Sequence, residues 1–108
     1  MCLVTWPHCG YTPAMHVGAL SLHLRLPGSA SLKEKRGRLK PLLSALHRQF
    51  NVSAAEVDYG DSHSQALVAC VAVANDHAHV ERVLAAIPGW VERYRPDVQV
   101  IDQEYTPL

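Results

Sequence analysis

An α+β fold is what this sequence predicts, and three observations predict it. A strictly alternating apolar segment follows Met15, a continuously apolar segment lies past the middle, and two stretches of helical spacing separate shorter extended runs. Taken in chain order they read β-α-β-β-α-β.

The first strand runs from Val17 to Leu26, with Leu20, Leu22, Leu24 and Leu26 on one face and Ala19, Ser21, His23 and Arg25 on the other. Pro27-Gly28 ends it. Ser31-Leu32-Lys33-Glu34 is a capping box that opens a helix. Leu32, Leu39, Leu43, Leu46 and Phe50 make its apolar stripe, and Pro41 inside it is expected to bend it or loosen the preceding turn. A short strand over Val52–Asp58 and a polar turn over Tyr59–Ser64 come next. Ala66–Ala74 is apolar throughout, as a central strand would be. Asn75-Asp76 caps a second helix with Val80, Val83, Leu84, Ile87, Val91 and Tyr94 inward, and Pro88-Gly89 is expected to break its last turns. Val98–Tyr105 is the final strand.

Two βαβ halves with right-handed crossovers close into a ferredoxin-like two-layer sandwich, a four-stranded antiparallel sheet with both helices on one face. Strands one and three are expected at the centre, strands two and four at the edges. One domain over residues 15–108 accounts for all of this. Met1–Ala14, with Pro7 and Pro13 and no period, reads as a disordered or non-native tail ahead of a second methionine. It has no basic n-region, and no stretch nears the roughly 20 apolar residues that span a bilayer. Three cysteines make no disulfide framework, so a cytoplasmic home and no membrane contact are expected. Cys2, His8 and Cys9 lack a fourth ligand at useful spacing, so no metal or other cofactor is expected.

A formal net charge of zero conceals an asymmetry. Between residues 16 and 50 stand Arg25, Lys33, Lys35, Arg36, Arg38, Lys40 and Arg48, against Glu34 alone. From residue 51 onward three arginines face nine carboxylates. Such a split points to one polyanion-facing side.

The strings Ser31-Leu32-Lys33-Glu34-Lys35-Arg36, Phe50-Asn51-Val52-Ser53-Ala54-Ala55-Glu56-Val57-Asp58 and Ala74-Asn75-Asp76 resemble the YlxP-like family of uncharacterised bacterial proteins, from Met15 to about Tyr105. The resemblance implies a ferredoxin-like fold and a biochemical role not yet known. It also implies genes beside those of transcription and translation factors, one of them ribosome-binding. The N-terminal segment and Pro41 depart from the family pattern.

The first helix carries the main functional expectation. Lys33, Arg36, Lys40 and His47 lie along one flank of its apolar stripe, and Lys35 and Arg38 along the other. Together they are read as an RNA- or polyanion-binding set, with ribosomal RNA or a ribosome-bound protein as partner and no DNA specificity. Solvated basic residues covering the core edge are the plainer reading of the same pattern. Sheet-face RNA reading is not expected, because Ala66–Ala74 holds no aromatic residue. The outward sheet face is expected to carry Ala66, Val68, Cys70, Ala72 and Ala74, with Val68, Cys70 and Ala72 at an interface with a second copy or another protein. Turn chemistry explains Asp58, Asp61, Ser62, His63 and Ser64 better than catalysis does. Ser31 is read as an N-cap rather than a phosphate ligand.

An accessory factor without catalysis is therefore the leading expectation. A ligand-binding or dimerisation module is the alternative. A small hydrolase of acylphosphatase type comes last, since no arginine-bearing loop follows the first strand.

Overall fold

The computed structural model describes residues 14–108 and builds them into β1 (His16–Arg25), α1 (Leu32–Phe50), β2 (Ser53–Asp58), β3 (Gln65–Ala74), α2 (His77–Ala85), α3 (Ile87–Tyr94) and β4 (Gln99–Pro107). Expectations for residues 1–13, including Cys2, His8 and Cys9, lie outside the described residues. Sheet order is β2-β3-β1-β4 with every pairing antiparallel, so the strands predicted as central and as edges occupy those places. This is the ferredoxin-like fold.

Local chemistry sets the boundaries. The Leu26–Ser29 turn is closed by Ser29 N–H donating to Leu26 O, with Gly28 at φ 80°, which a glycine reaches without penalty. Ser31 caps α1 by accepting from Glu34 N–H at 3.1 Å. Asn51 closes the helix in the left-handed region, where asparagine is tolerated. Pro41 stays within one continuous helix, exposed to water, and lacks only its own N–H. The second helical segment divides before Pro88 rather than after it. α2 ends at Ala85 and α3 restarts at Ile87 with Pro88 in its first turn, where a proline lacks nothing the helix needs.

Leu20, Leu22, Leu24 and Leu26 of β1 pack beneath the helices with Leu39, Leu42 and Leu46 of α1 and Val80, Leu84, Ile87 and Val91 of α2 and α3. At the end of α1, Phe50 meets Trp90 edge-on at 5.4 Å, and Trp90 stacks on Tyr94 at 4.6 Å.

One cation lies inside this core. Lys35 is 1 % exposed, and its ammonium donates to Glu56 Oε2 at 2.8 Å, Tyr59 O at 2.7 Å and Gln65 O at 3.1 Å. Both carbonyls flank the β2–β3 turn, and Glu56 stands on the helix side of β2. All three donors of the ammonium are thus satisfied by one hairpin. Tyr59 has φ 62°, a region unfavourable to a bulky residue, and it is held there by Lys35 on its carbonyl and by Asp58 Oδ1 accepting from its N–H at 2.7 Å.

Arg38, one turn on, is the companion tie. Its guanidinium donates to Pro27 O at 2.8 Å, Asp97 O at 2.8 Å and Asp97 Oδ2 at 3.2 Å. It joins the β1–α1 and α3–β4 loops. His63 Nδ1 donates to Ser29 O at 2.8 Å and links the hairpin turn to the first of those loops. Three loops at one end of the sheet are therefore fastened to α1 by two cations.

Removing Lys35 would leave a half-buried carboxylate and two carbonyls without their donor. Lys35→Ala should cost about 3 kcal/mol in a urea titration, whereas Glu56→Gln, which keeps an acceptor in place, should cost about 1 kcal/mol.

Candidate nucleic-acid interface

The predicted basic set does not act as one surface. Lys35 and Arg38 are structural: the first is buried and the second is half-buried with its donors spent on Pro27 and Asp97. Both leave the polyanion-binding set. The reason is geometric, since Lys35 stands four, seven and eleven residues before Leu39, Leu42 and Leu46, on the line that faces the sheet.

Lys33, Arg36, Lys40 and His47 remain, all exposed. They fall at i, i+3, i+7 and i+14 along the water-facing side of α1, which spreads them over about 20 Å of helix. His47 donates from Nδ1 to Val52 O at 3.0 Å. Among the described residues no carboxylate pairs with Lys33, Arg36 or Lys40, and residues 1–13 contain no Asp or Glu. Arg48, on the neighbouring flank, is exposed as well.

Beside this stripe lies a shallow groove of about 210 Å³ between α1 and β2, with Leu39 and Leu43 as its floor and Arg36, Lys40 and Glu56 at its margin. Helical spacing places Leu43 in the apolar stripe of α1. It is half-buried, and its outer edge faces this groove.

The expected interface residues also change. Val68, Cys70 and Ala72 are buried under the helices, with Ala66, and cannot meet a partner. The register sets this: Leu20 and Leu22 pair with Cys70 and Val68, so all four share the helix side. The open face instead carries Leu67, Ala69, Val71 and Val73 of β3 beside Val17, Ala19, Ser21 and His23 of β1. Burial pushes the Cys70 thiol up to about 11, so at neutral pH it is an unreactive packed side chain. Asp58, Asp102 and Glu104 stand on the open face, where their charge repels phosphate.

The comparisons with known proteins bear on this same stretch. Residues 17–105 match the family model described as "Protein of unknown function (DUF503)". The chain belongs to the DUF503 family. It is 30% identical over 71 residues to "Uncharacterized protein YlxP" of Bacillus subtilis (strain 168), covering 66% of this chain and 76% of that one. The family match and the relative agree with the resemblance carried by the SLKEKR and FNVSAAEVD strings. In this DUF503 chain those strings hold Lys35 and Glu56, the two partners of the buried ion pair. Their presence is explained by folding before any contact with a ligand is invoked. Among the described residues, no helix is long and apolar enough to cross a membrane, and no three His, Cys, Asp or Glu side chains gather as a metal site would require.

Asp97 gives the tie at the α3–β4 loop a pH dependence. Burial would raise its carboxyl, but the hydrogen bond from its own backbone N–H, Arg95 and Arg38 outweigh that and hold it below the usual carboxylate range. A lowered value in the folded state contributes stability above the unfolded value near 3.9, and that contribution is lost as pH falls through the folded value. Arg38→Gln should therefore lower the urea midpoint at pH 7, with the gap to wild type narrowing as the pH falls below about 4.

Proposed function

We propose that this DUF503 protein is an RNA-associated accessory factor without catalysis, working in the cytoplasm and docking through the exposed side of α1. The observation that carries the reading is the stripe of Lys33, Arg36 and Lys40, three exposed cations that pair with no carboxylate among the described residues, on a helix where Lys35 and Arg38 are consumed internally. A chain that needed the helix only for folding would be served by Lys35 and Arg38. Ribosomal RNA, or RNA presented with a ribosome-bound protein, is the partner we favour, since ribosomal RNA exposes both duplex and looped backbone to such a stripe.

Charge placement supports the same assignment. The basic stripe lies on the helix layer, while Asp58, Asp102 and Glu104 lie on the open sheet. Phosphates are drawn to one side and repelled from the other. Among the described residues the open sheet face carries one aromatic stack, His23–Tyr59, rather than aromatic residues along both central strands, so base reading on the sheet is not the mode we favour.

Three phosphate contacts to a single strand give a slope of about −2 in log affinity against log salt. Lys33→Glu, Arg36→Glu and Lys40→Glu together should abolish binding to ribosomal RNA fragments in filter titrations while leaving the urea midpoint nearly unchanged. Binding by the triple variant with an unaltered salt slope would remove α1 from the account.

A further inference from the structure

The open face of the sheet holds the bulkier half of β3. Leu67, Ala69, Val71 and Val73 point away from the helices, while Ala66, Val68, Cys70 and Ala72 lie beneath them. Val73 is 64% exposed, and Val17, Ala19 and Val71 continue an apolar strip across both central strands. A strand that served only the core would place its larger side chains inward. This face is built to be covered.

Its charges indicate by what. Asp102, His23, Leu67 and Asp58 form one row across the four strands, and Glu104, Ser21, Ala69 and Ala55 form the next. Carboxylates on both edge strands thus flank the Leu67 end of the apolar strip. Between them lies a depression of about 180 Å³, walled on one side by His23 and Tyr59, whose rings stack at 5.0 Å and 6°. His23 Nε2 lies 2.7 Å from Gln65 Oε1, which orients the imidazole. Among the described residues no cation pairs with Asp58, Asp102 or Glu104. Carboxylates beside flat aromatic faces recognise guanidinium and ammonium groups.

We propose that the open sheet face docks a basic, partly apolar polypeptide segment of another protein. Its apolar side chains cover Ala19, Ala69, Val71 and Val73, and its Lys or Arg side chains reach Asp58, Asp102 and Glu104. A second copy of this chain fits less well. An isologous sheet-on-sheet dimer brings the same three carboxylates from each side into one apolar interface, with Arg25 as the one cation that each face offers. The proposal stands independently of RNA binding, which uses the opposite layer.

The test is a titration of the full chain with a short peptide alternating valine with lysine, followed by backbone amide shifts and repeated with glutamate in place of lysine. The lysine peptide should move amides of β1 and β3 and leave those of α1 in place. Asp58→Asn, Asp102→Asn and Glu104→Gln together should weaken it about tenfold, as three exposed charge pairs would. Val73→Lys, a surface change that leaves the core intact, should weaken it independently by repelling the peptide. Equal binding of the glutamate peptide, shifts confined to α1, or sedimentation of the free chain as a dimer that Val73→Lys dissociates would each overturn the proposal.

Discussion

The β2–β3 hairpin, and with it the face it presents at one end of this domain, depends on the ammonium of Lys35. Closing the β2–β3 hairpin needs a donor for Tyr59 O and Gln65 O, both of which turn toward α1, and a counter-charge for Glu56, whose strand position aims it at the helix layer. A buried ion pair gives little net stability by itself, since desolvation offsets most of the attraction. Its effect here is specificity. The pair sets which residues of the hairpin lie against α1, holds Tyr59 in a left-handed conformation, and so places the Tyr59 ring over His23 on the far side of the sheet. Arg38 does the same for the other two loops through Pro27 and Asp97.

Much of the fold is legible in the sequence because two periods are clean. The alternation over β1 and the capping box at Ser31 each have a single structural interpretation, and the four leucines of β1 do line the core. The period of α1 is less clean. The stripe through Leu32, Leu39, Leu43, Leu46 and Phe50 is displaced from the true core-facing arc, which centres on Leu39, Leu42 and Leu46. With Leu42 included, Lys35 falls inside the arc, and its burial becomes readable. Four basic residues within six positions, from Lys33 to Arg38, hid that signal by looking like one solvated face.

The β3 strand shows a different limit. Ala66–Ala74 is apolar on both sides, so alternation cannot say which side faces the helices. Only the register against β1, with Leu20 opposite Cys70 and Leu22 opposite Val68, decides it. Both edge strands then slip by one residue, leaving Val57 and Ile101 unpaired beside the row that holds His23 and Leu67. Such bulges blunt an exposed edge against further strand pairing and leave the sheet face, rather than its edges, open to partners. Candidate residues on that face were hidden for the same reason: Asp58 and Asp102 are far apart in sequence, and only the paired strands bring them into one row.

Exposed cations thus line α1, while Asp58, Asp102 and Glu104 stand across the open sheet face. Its three lysines, Lys33, Lys35 and Lys40, all belong to α1, which makes one chemical experiment decisive. Acetylation of the native protein, mapped by mass spectrometry with and without ribosomal RNA, reads the structural and the binding role of this helix together. Lys35 should stay unmodified in both conditions, while Lys33 and Lys40 should react freely alone and be shielded by RNA. Reaction of Lys35 at the rate of its neighbours would contradict the buried tie. Equal reaction of Lys33 and Lys40 with and without RNA would contradict the binding face.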